Sequence, residues 1–259
     1  MTAEELDDAN RFQAWQIDAL QAHPAGTELV RVGPFQVVVS DGPSPFNWVT
    51  LVDPNIEEGD LRDSVGPLRS MFEGRHEGLE VEFNEAVLPH AAAWLEAAGF
   101  ALAERNPLMA CRPAVFKRFA AADVTLSSLG LDSPEEELRA FQSIRWTAGS
   151  DSEREAPPVD DLRRELTSPT SVYMLAWLDR EPVGTGVSHA LNGAAEIVGI
   201  VTRADRRRRG VAATVSSTLV ERHFKSGGDF VFLDAANDQA VRVYERLGFR
   251  RFGANLIYR

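Results

Sequence analysis

A chain of 259 residues, 44% hydrophobic and 25% charged, has an ordinary globular composition and is long enough to bury a sizeable core. Its net charge of −12 argues against a general nucleic-acid binder, which would be basic, and is compatible with a cationic substrate. The single cysteine, Cys111, excludes an internal disulfide and any multi-cysteine metal site, and reads as a small buried apolar residue.

Taken in order, the chain opens with an acidic stretch, MTAEELDDAN, unlike a signal peptide, and it has no apolar run long enough to span a membrane. The expected location is the cytoplasm. Residues 3–22 read as a helix with Ala9, Phe12, Trp15, Ala19 and Leu20 on one side, ended by His23-Pro24-Ala25-Gly26. Strand-like runs follow at 28–32, 35–40 and 48–52. Residues 61–72 have helical character interrupted by Gly66-Pro67. A strand at 79–83, a helix at 86–98 closed by Gly99-Phe100, and an extended segment at 101–109 lead to a junction near Arg112-Pro113.

Beyond the junction, Leu126 closes a strand. Ser133-Pro134-Glu135-Glu136 starts a helix carrying Leu138, Phe141, Ile144 and Trp146. Residues 148–158 form a polar loop, and a short helix covers 159–166. Ser171–Leu178 and Pro182–Leu191 form a hairpin joined by Asp179-Arg180-Glu181, and Ala194–Thr202 is the next strand. Gly184-Thr185-Gly186 lies within that hairpin and not ahead of a helix, so it is no dinucleotide fingerprint. The histidines, His23, His76, His90, His189 and His223, show no ligand spacing, and no metal is expected.

The stretch from Glu196 to Ser226 organises the chemistry. The β-branched residues Ile197, Val198, Ile200, Val201 and Thr202 suit a strand. A basic turn, Arg206 to Gly210, precedes a helix with Val211, Val215 and Leu219 on one stripe. Such a helix start offers unpaired N–H groups at Val211, Ala212 and Ala213 and the positive end of its dipole, Gly210 permits close backbone approach, and Arg207, Arg208 and Arg209 add charge. Together these features can hold a phosphate. Further on, Phe230–Ala235 is a strand and Asn237 can cap a helix. Ala240, Val243, Tyr244 and Leu247 share a face of that helix, which Gly248 ends.

Arg207-x-x-Gly210-x-Ala212 resembles the acetyl-CoA pyrophosphate loop of the GNAT acyltransferases, and Asn237-x-x-Ala240-x-x-x-Tyr244-x-x-x-Gly248-Phe249 is similar to the family's segment after its fifth strand. The resemblance covers roughly residues 114–259 and implies the α/β mixed-sheet GNAT fold there, with acetyl-CoA as co-substrate. It implies coenzyme contacts from Ile200, Val201, Thr202, the Arg207–Ala213 loop and Asn237. A backbone N–H of Ile200–Thr202 would stabilise the developing oxyanion. Tyr244 is the candidate acid for the leaving thiolate and Glu196 the candidate base, with His189 a weaker alternative.

The first half repeats the pattern. Shifted by 149 residues, Val81–Phe83 falls on Phe230–Phe232 and Gly99-Phe100 on Gly248-Phe249. Arg206 to Arg209 then match Glu57, Glu58, Gly59 and Asp60, while Gly210, Asn237 and Tyr244 match Leu61, Leu88 and Leu95. An acidic loop repels diphosphate and a leucine carries no proton to give. The expectation is a tandem protein: residues 1–113 a degenerate GNAT-like or cap domain without a coenzyme site, residues 114–259 the catalytic domain. The expected reaction is direct transfer of acetyl to a primary amine of a small molecule or peptide, by a monomer or homodimer with no nucleic-acid or membrane partner. Carboxylates between 151 and 165 suggest a cationic acceptor. A GNAT-fold protein that binds acyl-CoA without turnover remains the alternative, since fold does not fix activity.

Overall fold

The computed structural model describes residues 2–22, 27–40, 48–73, 78–147 and 156–259. The chain forms two compact units. The first comprises Met1–Leu108, Asp234–Asn237 and Arg251–Arg259, and the second Met109–Leu233 and Asp238–Arg250.

The first unit opens with α1 (Ala3–Gln21), nucleated by a capping box: Thr2 Oγ1 accepts from Glu5 N at 3.2 Å, and Thr2 N donates to Glu5 Oε2 at 2.7 Å. Strands β1 (Thr27–Val32), β2 (Phe35–Ser40) and β3 (Trp48–Leu51) form an antiparallel meander. Helix α2 (Glu58–Phe72) carries the chain to β4 (Val81–Asn84), parallel to β3. The expected break at Gly66-Pro67 is absent: α2 runs through Pro67. Pro67 is exposed, so the unmatched carbonyl one turn earlier can reach water, while Leu61, Val65, Leu68 and Phe72 stay buried on one stripe.

The helix expected at 86–98 is shorter, α3 (Ala91–Ala97). Leu88-Pro89 disfavours a helical residue before the proline, and the Asn84 side chain takes the Ala86 N–H into a turn at 2.9 Å. Strand β5 (Leu102–Cys111) leaves the first unit at Leu108. The chain's last strand, β11 (Arg250–Tyr258), returns to it. Asn255–Tyr258 pair antiparallel with Asn84–Val81, so the neighbours here run β1-β2-β3-β4-β11. One face of these strands carries the main core, including Val49, Leu51, Val81, Phe83, Leu256 and Tyr258, packed on α2 and α3.

The second unit contains β6 (Thr125–Leu129), α4 (Glu135–Thr147), α5 (Val159–Glu165), β7 (Ser171–Leu178), β8 (Glu181–Leu191), β9 (Ala194–Thr202), α6 (Val211–Lys225), β10 (Phe230–Asp234) and α7 (Asp238–Arg246). β6 to β9 are antiparallel neighbours, and β10 joins β9 in parallel through α6. Two-residue turns close both hairpins: Asp179 and Arg180 have φ of 53° and 67°, Asn192 and Gly193 of 50° and 81°, as a right-twisted hairpin requires. α4 and α5 cover one face around Phe141, Tyr173, Leu175 and Val187.

The two halves of the chain repeat one order of elements, β1-β2-β3-α2-β4-α3-β5 and β7-β8-β9-α6-β10-α7-β11. At the positions matching Gly210, Asn237 and Tyr244, the first unit places Leu61, Leu88 and Leu95, all in its buried apolar cluster. Its α2 begins with Glu58 and Asp60 in the first turn, whereas α6 has no acidic residue there.

Candidate active site

The parallel ladder between β9 and β10 is short. Ala194, Ala195 and Glu196 pair with Phe230, Val231 and Phe232, and the ladder ends there. On the other side of β9 the register with β8 slips between Thr185 and Val187, so that Gly186 stands against both Gly199 and Ile200. This is a β-bulge, and Gly199 sits at φ 60° within it. Arg203 N donates to Val183 O at 2.9 Å. Alternation along the strand then sends the Val201 N–H toward β8, and those of Ile200 and Thr202 toward the edge that β10 has left. Of the three strand residues expected to offer a donor, two keep an N–H for this edge.

α6 lies close against β8 because Gly184 and Gly186 leave room. A Cβ at Gly184 would come within 2.6 Å of Val211 Cγ1, and one at Gly186 within 2.4 Å of Val215 Cγ1. Between β9 and α6 the chain makes a 3-10 turn, Ala204–Arg206, and reaches Gly210 at φ 78°. Thr214 N to Gly210 O, at 2.9 Å, is the first bond of α6. The N–H groups of Val211, Ala212 and Ala213 therefore have no acceptor within the helix, and no side chain caps them.

The arginines divide their work. Arg206 pairs with Glu181 at 2.7 Å, Arg209 with Asp123 at 3.1 Å, and Arg207 Nε reaches Thr202 O at 3.4 Å, closing the loop on the strand. Arg208 adopts φ 63°, turning the backbone beside Gly210. The segment before β6 lies along α6, with Phe119 N bonded to Ser217 Oγ at 2.8 Å and Ala121 N to Thr214 Oγ1 at 3.0 Å.

Tyr244 is buried on α7. Burial pushes its phenol up to about 12, so it holds its proton at neutral pH. Ser216 of α6 is near enough to favour the phenolate, although its hydroxyl falls outside hydrogen-bonding geometry and has no partner. Asn237 immediately precedes α7 in the chain and groups with the first unit.

On the face covered by α4 and α5, Ser171, His189 and Glu196 stand opposite one another across β7, β8 and β9. Ser171 Oγ and His189 Nδ1 are 2.8 Å apart. Burial, then the charge of Arg145, lowers His189 to about 4, leaving it neutral at pH 7 and a poor proton acceptor there. Beside this row, Glu165 Oε2 accepts from Arg145 Nη1 at 2.8 Å and from the Tyr173 hydroxyl at 3.2 Å. A Cβ at Gly199 would lie 3.9 Å from Arg145 Nε, which places the ion pair next to the bulge. Arg145 and Tyr173 were not legible as site residues, because their sequence signals are those of a helix end and a core strand.

Of the carboxylates read as an acceptor-attracting group, the three among the described residues are matched. Asp160 pairs with Arg163 at 3.1 Å, Asp161 with Arg164, and Glu165 with Arg145. Asp151, Glu153 and Glu155 lie outside the described residues. Cys111 is buried and its thiol is pushed up to about 12 by burial, consistent with a packing role. Among the described residues no helix is long and apolar enough to cross a membrane, and no three His, Cys, Asp or Glu side chains form a metal-binding group.

Comparison with known proteins matches residues 136–249 to the acetyltransferase (GNAT) family. No curated protein sequence matches. Among solved structures, a GCN5-related N-acetyltransferase from Kribbella flavida is similar over 96% of this chain and 94% of its own, with TM-score 0.76 and 23% identity. One from Sphaerobacter thermophilus is similar over 87% and 80%, with TM-score 0.62 and 14% identity. A tandem GNAT protein from the clavulanic acid biosynthesis pathway is similar over 94% and 86%, with TM-score 0.60 and 14% identity. Residues 136–249 are therefore a domain of the acetyltransferase (GNAT) family, within a chain whose fold is that of tandem GNAT proteins.

Proposed function

We propose that the second unit is an acetyl-CoA-dependent N-acetyltransferase that moves acetyl directly onto a primary amine of a small molecule or peptide. The observation that carries this reading is the parting of β9 from β10 after Glu196, leading to the uncapped start of α6. An extended thioester arm can take the place of the missing strand pairing, and its diphosphate suits a helix start with free N–H groups.

The thioester supplies an already activated acyl group. Gly210 and the N–H groups of Val211, Ala212 and Ala213 would hold the diphosphate, with Arg207, Arg208 and Arg209 adding positive charge. The N–H groups of Ile200 and Thr202 would meet the carbonyl oxygen and stabilise charge developing there. Glu196 takes a proton from the acceptor ammonium. The amine nitrogen bonds to the carbonyl carbon as the carbon–sulfur bond breaks, Tyr244 gives its proton to the leaving sulfur, and the second proton shed by the nitrogen as it becomes an amide restores the Tyr244 phenol through solvent. We infer a small cationic amine as acceptor from Glu196; Asp160, Asp161 and Glu165 are already paired with arginines and do not carry this reading. The N-terminal half of the chain, with leucines where the C-terminal half has Gly210, Asn237 and Tyr244, would hold no coenzyme.

The test is turnover of the full-length protein with acetyl-CoA and a panel of amines, following free thiol and N-acetylated product together. Equal, amine-dependent release of both is expected. Tight acetyl-CoA binding without turnover on any amine would favour an acyl-CoA-binding regulatory protein instead.

A further inference from the structure

The first unit has a second face. Strand alternation puts Val49, Leu51, Val81, Phe83, Ala254 and Leu256 into its apolar core, and turns Thr50, Glu82, Asn84 and Asn255 the other way. Those polar residues are neighbours: Thr50 stands beside Glu82 in register, and Asn84 opposite Asn255. Helix α1 lies over this face. Phe12 meets Phe252 with ring centroids 5.9 Å apart, and Leu20 packs on Val38, Val52 and Trp48. Between these apolar anchors the same stripe presents Gln13 and Gln16.

Five of these side chains are more than nine-tenths buried: Gln13 at 8% exposure, Gln16 at 2%, Thr50 at 0%, Asn84 at 1% and Asn255 at 4%. Each has one polar atom without a partner: Gln13 Oε1, Gln16 Oε1, Thr50 Oγ1, Asn84 Nδ2 and Asn255 Oδ1. Three of the amide orientations are fixed by bonds already made. Gln13 Nε2 donates to Val52 O. Asn84 Oδ1 accepts from Ala86 N at 2.9 Å. Asn255 Nδ2 donates to Glu82 Oε2 at 3.3 Å and to Asp234 Oδ2 at 3.0 Å. What remains is rich in acceptors, with two carboxylates bound to the amide of Asn255. Asp234 reaches the surface, although burial raises its carboxyl to about 6, so it stands as an anion between the group and solvent at neutral pH. Buried polar atoms left bare are costly, and five such atoms on one face call for a bonding partner.

We propose that the α1 face of the first unit is a binding site for a small molecule bearing a primary ammonium group, entered past Asp234. An ammonium offers three donors and one positive charge, matching the spare oxygens of Gln16, Asn255 and Thr50 near Glu82. This site is independent of the acyl-transfer reading. It lies in the unit whose other face is sealed with leucine.

The test uses the full-length protein. Methylammonium and ethanolamine chloride are compared with equal sodium chloride and with acetamide in thermal unfolding. A saturable rise in Tm of about 2–4 °C is expected with the amines only. Thr50→Val and Gln16→Met, both near-isosteric, should weaken the apparent amine affinity at least tenfold and leave acetyl-CoA affinity unchanged. A rise that survives both substitutions places the amine elsewhere and overturns the proposal, as does no rise at all. A crystal structure at saturating methylammonium gives a readout that does not depend on the variants. Density for the cation among these five side chains supports the site, and an undisturbed cluster of ordered water overturns it.

Discussion

Gly210→Val tests the coenzyme seat most directly. Gly210 stands at φ 78° and caps α6, and a Cβ there would lie 3.1 Å from Ala121 Cβ and 3.2 Å from Phe119 Cε1. Holding a β-branched residue in this left-handed conformation costs about 1–3 kcal/mol. Phe119, 42% exposed, can swing aside and relieve part of the contact, but not the torsional strain. If the loop instead relaxes to negative φ, the N–H groups that follow turn away from their common target. Each hydrogen bond to a charged group is worth about 1.5–3 kcal/mol, so losing two raises Kd by about 10²-fold or more. Strain in the free protein should lower Tm by about 2–8 °C. Titration calorimetry with acetyl-CoA and scanning calorimetry of the free variant separate the two effects. Gly210→Ala, with a smaller side chain, should fall between. Wild-type affinity in Gly210→Val, or two coenzymes bound per wild-type chain, would refute the reasoning.

The other predictions concern single side chains. Tyr244→Phe should lower kcat by about one to two orders of magnitude with coenzyme affinity nearly intact, the pattern of a lost general acid, read from steady-state rates beside binding constants. Glu196→Gln should flatten the limb of the pH–rate profile that rises toward alkaline pH; a retained limb would assign the proton elsewhere. His189 has a folded pKa of about 4, below its ordinary value of about 6.5, so the unfolded chain binds the extra proton between the two. Its contribution to stability is present in full above about pH 6.5 and declines as pH falls toward about 4. Denaturant unfolding across that range should show a shallower pH dependence in His189→Gln. Gly186→Ala would set a Cβ 2.4 Å from Val215 Cγ1 and 2.7 Å from Ile200 Cδ1, so it should cost about 1–3 kcal/mol by overpacking, with partial recovery of Tm in the double variant with Val215→Ala.

Much of the candidate site was legible because its signals are local. A strand, a glycine after arginines and an amphipathic helix follow one another without interruption, and the structure forms β9, the turn and α6 from them. Boundaries failed where one residue outvoted a periodic pattern. Proline after Leu88 shortened α3, while exposed Pro67 was carried by the burial of its neighbours. The opening between β9 and β10 was not legible, because a bulge depends on which residues face one another across β8. The pairing of Arg145 with Glu165 likewise joins residues that no local rule connects. Repetition was visible in the order of elements. The return of β11 to the first unit was hidden, since a closing strand reads alike whichever partner it finds.

That return sets an order of events during synthesis. The strand that covers β4 contains Asn255–Tyr258, which leave the ribosome long after β4 and after the whole of the second unit, so the first unit cannot finish folding when residues 1–108 are complete. Until then β4 presents an unpaired edge, the kind of surface on which nascent chains mispair. A fragment ending near residue 113 would keep that edge permanently, and removing Asn255–Tyr258 from the full chain would damage the first unit as much as deleting one of its own early strands.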